Sequence, residues 1–373
     1  MLTMLIMLIV LTVLLTALPA CAETCMHAVS VGKGDALIIQ AGDSAVLIDT
    51  GKGYACGRLR RAFEELGITR LDAVFVTHVD SDHIEGLQFL AESGIQVGAW
   101  YASPYFFEYK EKKHPLRKLG VEPEWLEAGD EVVIGDMRFS VLAPLTKSWD
   151  DEDENSLVIM LETPDGRILL TGDMEHGEEA ELLAAGADLR CDVLKVANHG
   201  DGDTTSAEFI ARTGAEYAII STDSLEKPGT PDPGVVAALE SAGAKVFITQ
   251  DSDAVCAQLT GGETTVSHVY WEKRATEGVG FSIDRENELF TLTNSSKADI
   301  SLEGWYVYSD AGNELYIFGA ELLPAGGSIV LGTKSSPEGS YGVFWDEKNV
   351  ISDKKADLIS LYDRDGNLVD SGY

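Results

Sequence analysis

The sequence predicts an α+β protein in two parts: a mixed-sheet sandwich with helices on its outside, then a smaller all-β sandwich. Three observations point there. Up to about residue 270, apolar strand-like runs alternate with helically spaced segments and frequent hairpins. Three of those runs end in aspartate and histidine: LDAVFVTHVDSDH (71–83), ILLTGD (168–173) and DVLKVANHG (192–200). Beyond residue 279 the helical spacing stops, and short strands follow one another between turns such as DAGN and DRDGN.

The elements follow in chain order. HAVSVGKGDALIIQ and SAVLIDTG read as strands around a tight turn, with Val, Ile and Leu dominant and Gly and Asp punctuating. RLRRAFEELGI (58–68) has helical spacing and a glycine stop. LDAVFVTH is a strand, HIEGLQFLAES a helix and IQVGAWYAS a strand, leading into a polar, aromatic stretch at FFEYKEKKHPLRKLG. VVIGDMRFSVLAP and NSLVIMLETPDGRILLTGD add strands. Helices EEAELLAAG, SAEFIARTG and PGVVAALESAG then alternate with strands DVLKVANHG, EYAIIST and KVFITQ, before the closing hairpin AVCAQLTGGETTVSHVYW. The charged stretch WEKRATEG marks the join, giving a first domain over 24–273, a linker over 274–279 and a second domain over 280–373.

At 373 residues the chain can build two cores. Its 28 basic and 62 acidic residues leave a net charge of −34. Such a surface repels long polyanions, so no extended duplex-DNA binding surface is expected. A metal site handling one phosphate or a short single strand is compatible with that charge.

The N-terminal run MLTMLIMLIVLTVLLTALPACAET reads as a signal peptide over 1–22, with Ala20-Cys21-Ala22 as a small-x-small cleavage signal. Two other readings stand beside it: Leu18-Pro19-Ala20-Cys21 resembles a lipoprotein cleavage box, and the run is nearly long enough to be a membrane anchor. No Lys or Arg precedes the apolar core. All three readings predict a secreted or cell-envelope protein. Cleavage after Ala22 leaves Cys25, Cys56, Cys191 and Cys256, which allow three pairings into two disulfides. Their spacing matches no zinc finger, and burial as small hydrophobes is favoured for Cys191 and Cys256.

Within THVDSDHIEG (77–86), the six residues HVDSDH (78–83) place two imidazoles and two carboxylates behind a core strand. Such groups are costly to bury unpaired and are usual ligands of zinc and manganese. Alternate residues leaving a strand point the same way, so His78 and Asp80 can share one cation while Asp82 and His83 serve a second. Asp173 can bridge the two, and His199 adds an imidazole. Caps and turns would account for the aspartates but need no histidines.

Taken together these motifs resemble the metallo-β-lactamase fold superfamily, whose signature is HxHxDH. They are most similar to the branch of the ComEC/Rec2-like hydrolase domains, which carry HxDxDH. The branch's VGQGD-type opening is matched by Val31-Gly32-Lys33-Gly34-Asp35, and its ILIDTG by Leu47-Ile48-Asp49-Thr50-Gly51. Asn155-Ser156-Leu157, LLTGD and LKVANHGD extend the match over roughly residues 25–273. The resemblance implies an αββα sandwich and two divalent ions, zinc or manganese. The implied ligands are His78, Asp80, Asp82, His83, Asp173 and His199, with Asp82, Asp173 and His199 closest to the chemistry. Asp49, Asn198 and Lys195 are implied as supports behind the ligands, though packing at the core edge is the alternative for Lys195 and for Ser221. The implied reaction is attack by a metal-bridging hydroxide on a phosphodiester of nucleic acid or nucleotide.

Departures from the pattern bear on occupancy. Asn198 stands where the first His of an HHG pair is expected, Asp201 where Ser usually follows, and Lys33 replaces a Gln. The late loop KPGTPDPG (227–234) offers Thr230 and Pro231 where a His often precedes Pro. One of the two sites is therefore expected to be weak. A one-metal enzyme, a binding protein with a degenerate hydrolase domain, and a metallohydrolase of lactones, esters or β-lactams stay open as alternatives.

The remaining polar features read more plainly. The acidic run at 150–154 is expected to be a solvated loop. His176 is expected at the surface, His268 in a structural role on the closing strand, and His27 packed or supporting near the site edge. His114 lies in the basic patch KEKKHPLRK, read as a solvated loop, with orientation of an anionic substrate as the alternative.

Residues 280–373 resemble the lamin-tail domain, an immunoglobulin-like sandwich, through ISLEGW, LPAG and DLISLYDRDGNLVD. Trp305 and Trp345 are expected as core anchors. No catalytic constellation is found there. The resemblance implies attachment to an unknown surface partner, a polymer or an envelope.

Overall fold

The computed structural model describes residues 23–105, 114–148, 153–272, 278–352 and 357–372. The signal-peptide region 1–22, the KEKK stretch at 110–113, acidic residues 150–152 and linker residues 273–277 lie outside the described residues.

Two sheets face each other in the first part of the chain. One has eight strands, in the order Glu263–Val269, Ala254–Thr260, Thr24–Val29, Leu37–Ala41, Ser44–Ile48, Arg70–Val76, Gln96–Ala102 and Glu124–Trp125. The other has seven, in the order Lys245–Ile248, Tyr217–Ile220, Val193–Lys195, Gly166–Leu170, Val158–Thr163, Met137–Ala143 and Glu131–Ile134. The inward faces bury Met26, Leu37, Ile39, Phe75, Phe139, Ile159 and Ile168 in one core. Phe75 of one sheet meets Phe139 of the other with ring centroids 5.0 Å apart, close enough for the tilted contact aromatic pairs favour.

Helices cover both outer faces. On one side Cys56–Glu65 buries Leu59, Ala62 and Phe63, the apolar stripe of RLRRAFEELGI. On the other, His176–Ala185, Ala207–Thr213 and Pro233–Ser241 pack over Leu169, Leu194 and Ile220. Ser206 and Asp232 cap the last two, each side chain accepting from a backbone N–H of the first turn. The first part of the chain is thus an αββα sandwich, as expected.

HIEGLQFLAES, expected as one helix, is two: Ser81–Ile84 and Leu87–Glu92. Gly86 sits between them against Thr50, where a Cβ would lie 2.3 Å from the Thr50 carbonyl oxygen. The break brings the metal-type residues of 78–83 down onto the segment after Ser44–Ile48, with Thr50 N–H donating to the His83 carbonyl at 2.8 Å.

Strand direction decides where the chemistry collects. Arg70–Val76 is parallel to both of its neighbours, and Gly166–Leu170 is parallel to Val193–Lys195. Parallel strands deliver the residues that follow them to one edge, the common place for sites in α/β sheets. The loops after Val76, Leu170 and Lys195 meet there, one from the first sheet and two from the second.

The C-terminal residues form small sheets, antiparallel except where Ser328–Gly332 pairs in parallel with Val343–Phe344, around Phe290, Leu292, Trp305, Val307, Phe318, Leu331 and Trp345. Trp305 and Trp345 are core anchors, each 4% exposed. This sandwich packs directly on the first domain. Tyr306, Tyr308 and Leu315 join the cluster of Ala55, Leu59 and Phe63. The Tyr306 hydroxyl donates to the Tyr54 carbonyl and accepts from Gly57 N–H at 3.4 Å. Arg61, buried, binds Asp365 at 3.3 Å and the Glu272 carbonyl at 2.9 Å. Among the described residues the cysteines are free thiols, with Cys56 and Cys191 buried.

Candidate metal centre

Asp49 follows strand Ser44–Ile48 in a left-handed conformation, φ +56°. Its carboxylate accepts from Thr77 N–H at 2.8 Å and from the Thr77 hydroxyl at 2.6 Å, and lies 2.7 Å from His83 Nδ1. A carboxylate accepts, so His83 carries its proton on Nδ1 and turns Nε2 inward. Because Thr77 spends its hydroxyl proton on Asp49, it can only accept from His78 Nδ1, 3.0 Å away. His78 therefore also presents Nε2. His199 does the same, its Nδ1 lying 2.8 Å from the Ser221 carbonyl. One buried network sets the tautomer of all three imidazoles.

The inward atoms converge on Asp173. His83 Nε2 lies 3.1 Å from one of its oxygens and His199 Nε2 2.9 Å from the other. The two Nε2 atoms are 3.3 Å apart, and His199 Nε2 is 3.5 Å from Asp82. These donor atoms lie close enough together to share one cation, such as a zinc held by imidazole and carboxylate. His78 Nε2 lies 3.7 Å from Asp153 and 4.0 Å from Asp173, buried and without a hydrogen-bond partner. An orphaned lone pair beside carboxylates is what a cation relieves. The donors thus fall into two groups, Asp82-His83-Asp173-His199 and His78-Asp80-Asp153, with Asp173 between them.

The electrostatics agree. Burial opposes charge on His83, yet Asp173 and Asp49 outweigh it and hold its pKa well above the usual histidine value. Burial together with the neighbouring His83 pushes His78 down. Burial opposes ionisation of Asp82 and of Asp173, but the surrounding imidazoles, with Lys33 at Asp82, keep both carboxyls below the ordinary range. Binding of a cation to such a set is coupled to proton release.

Asp153 is the residue that sequence reasoning missed. The run at 150–154 was expected to be a solvated loop, yet Asp153 turns inward to His78, in a short 3-10 turn, Asp153–Asn155. Asn198 does not take a ligand's place. Its Nδ2 is 3.3 Å from both Asp153 and Glu175, so it orients a carboxylate. The backbone there is strained, with φ +39° at Asn198 and +55° at His199, a cost met where surrounding structure over-determines a site.

Behind the ligands, fully buried Lys195 binds Asp35 at 2.7 Å and donates to the Val196 carbonyl at 3.0 Å. Asp35 of the VGKGD motif is thus the partner of that charge. Asp35, Asp49 and His83 also cluster, but Asp49 is already engaged by Thr77 and His83 and Asp35 by Lys195, so they support rather than ligate. Lys33 reaches the site itself, its ammonium 2.8 Å from Asp82.

The other histidines sit elsewhere. His114 is a correction: it is buried, accepts from Leu116 N–H as a helix cap and meets Trp125 edge-on at 5.2 Å. Buried His27 stands on the first strand, His268 binds Ser252 at 3.0 Å, and His176 is exposed.

Comparison with known proteins agrees with this architecture. The family model described as the metallo-beta-lactamase superfamily matches residues 29–236, and that of the Lamin Tail Domain matches 257–372. The closing hairpin within 254–269 pairs with the first sheet. ComE operon protein 3 of Bacillus subtilis (strain 168) is 29% identical over 247 residues, covering 61% of this chain and 32% of that protein. Competence protein ComA of Neisseria gonorrhoeae is 26% identical over 262 residues, covering 68% and 36%. The chain spans about a third of the length of these curated relatives. Among solved structures, the metallo-beta-lactamase fold protein YhfI from Bacillus subtilis aligns with a TM-score of 0.42 at 13% identity, covering 65% of this chain and 100% of that one.

Proposed function

This chain belongs to the metallo-beta-lactamase superfamily, and on that premise we propose that it is an exported metal-dependent hydrolase of phosphodiester bonds in nucleotides or short single-stranded nucleic acid. The observation that carries the reading is the convergence of three Nε2 atoms on Asp173, each tautomer set by a buried acceptor. His83, His199, Asp82 and Asp173 would hold one divalent cation, and His78, Asp80 and Asp153 a second beside Asp173. Two such ions, zinc or manganese, supply an acidified water and stabilise charge on a reacting oxyanion.

The chain's own residues then do the positioning. Asp49 fixes His83, the Ser221 carbonyl fixes His199, and Lys195 with Asp35 braces the strand end behind them. Lys33, its charge held against burial by Asp173, Asp82 and Asp153, is the cation placed to meet an anionic substrate. The net charge of −34 favours short substrates over long duplex, because distant phosphates meet repulsion. The name of one relative, Competence protein ComA, supports a nucleic-acid substrate, and the apolar N-terminal run with Ala20-Cys21-Ala22 supports export.

The test pairs metal analysis of the purified protein with hydrolysis of bis(p-nitrophenyl) phosphate and of a chromogenic β-lactam. About two ions per chain and diester turnover abolished by chelator and by Asp82→Ala are expected. Turnover that survives Asp82→Ala, or a β-lactam preferred over the diester, would overturn the reading.

A further inference from the structure

A cleft of about 510 Å³ opens between the two domains, its wall taking in Ser81, which lies in the chain between the candidate ligands Asp80 and Asp82. Its near wall comes from the metal-bearing helix, through Ser81 and Glu85, and from Lys52. Its far wall comes from the C-terminal sandwich, through Tyr308, Asp310 and Asn313. That volume is in the range of small-molecule sites, about 300–1,000 Å³.

The walls are held in place by one bond across the domain boundary and by others within each domain. Glu85 accepts from the Tyr308 hydroxyl and from Gly53 N–H, both at 3.1 Å. The same Tyr308 hydroxyl lies 3.0 Å from the Asn313 side-chain oxygen. Glu226 accepts from Lys33 N–H at 3.1 Å and from the Tyr54 hydroxyl. Lys33 in turn reaches Asp82 in the metal centre. The cleft is therefore tied to the reaction site at two points, through Glu85 near His83 and through Lys33.

Its chemistry excludes most ligands. Glu85, Glu226 and Asp310 face a single lysine, Lys52, so a second phosphate group is repelled. Carboxylates and an amide accept from hydroxyl and amino groups, and tyrosine rings provide flat apolar surface for a planar ring. Tyr54 lies between Tyr308 and Tyr362, 6.2 Å from each ring centroid.

We propose that this interdomain cleft binds the nucleoside part of a phosphodiester whose phosphate lies at the metal centre, so that Tyr308, Asp310 and Asn313 of the C-terminal domain set substrate specificity. The proposal rests on the phosphodiesterase reading for the phosphate and assigns the β-sandwich a binding role in addition to attachment.

The test uses full-length, metal-loaded protein and two readouts. Calorimetric titration with adenosine and cytidine, which carry no phosphate, reports the cleft alone. Saturable binding is expected, weakened about tenfold or more in Asp310→Lys and in Asn313→Gly; glycine keeps the left-handed backbone of Asn313, φ +57°. In parallel, KM for the p-nitrophenyl ester of thymidine 5′-phosphate rises about tenfold in both variants, while metal content stays within about twofold of wild type. Absence of saturable nucleoside binding, or equal affinity in wild type and both variants, overturns the proposal even if diesters are cleaved. Nucleoside binding lost in the variants, with no diester cleaved by any form, supports the cleft and defeats the hydrolytic reading.

Discussion

Asn198 donates its side-chain amide to Asp153, Nδ2 to Oδ2 at 3.3 Å, and that carboxylate faces the orphaned Nε2 of His78 across 3.7 Å. A position that looks like a lost ligand is thereby turned into a holder of another one. Asp153→Asn should remove one of two bound ions while leaving the site of His83 and His199 filled. Asn198→Ala should weaken the same ion about 10–100-fold, the usual cost of losing an orienting partner. Metal content after graded dialysis checks both; loss of both ions together in Asp153→Asn would contradict the assignment.

Lys33 stands where related sequences of this kind are expected to carry glutamine, and its ammonium touches Asp82 at 2.8 Å. Lys33→Gln should raise KM for a phosphodiester about tenfold, the worth of one charge-assisted hydrogen bond, with bound metal undiminished. Steady-state kinetics beside metal analysis decides it. A fall in kcat with KM unchanged would place Lys33 in the chemical step instead.

Acid stability should carry the mark of His27, which burial pushes down to about 4 from an ordinary 6.5. Above 6.5 the residue is neutral in both states. Below it the unfolded chain takes up a proton that the folded chain refuses, so stability is lost as pH falls towards 4. His114, also pushed down to about 4 by burial and by Arg117, adds in the same direction. Urea midpoints of wild type and His27→Leu at neutral and mildly acidic pH test this. The variant should lose less on acidification, and equal losses would rule the group out.

Tyr306 joins the two domains through packing. It is fully buried, stacks on Tyr362 at 4.9 Å and bonds to Tyr54 and Gly57. Tyr306→Ala should cost about 3–5 kcal/mol, as for other large aromatic deletions. It should also separate one melting transition into two. A single unshifted transition by calorimetry would show that the interface contributes nothing.

Much of this is legible in the sequence. Strand-like runs ending in THVDSDH, LTGD and NHG announce a metal centre because buried imidazole and carboxylate need a cation, and these runs set the fold class through their alternation with helices. The helix over 83–93 was misread because Gly86 has a packing role against Thr50 that periodicity does not register. His114 was misread because a basic neighbourhood in sequence says nothing of the Trp125 ring it meets.

By itself the sequence determined that His78, Asp80, Asp82, His83, Asp173 and His199 could ligate and which strand each one follows, since both are local properties of a short run. Only the tertiary structure decided that Asp153 folds inward, that Asn198 orients it, that Asp35 neutralises Lys195 and that the β-sandwich walls a cleft between the domains. Each of these relations joins residues far apart in the chain or on opposite sides of a turn. Their distance depends on how two twisted sheets and a second domain pack, which no single segment encodes.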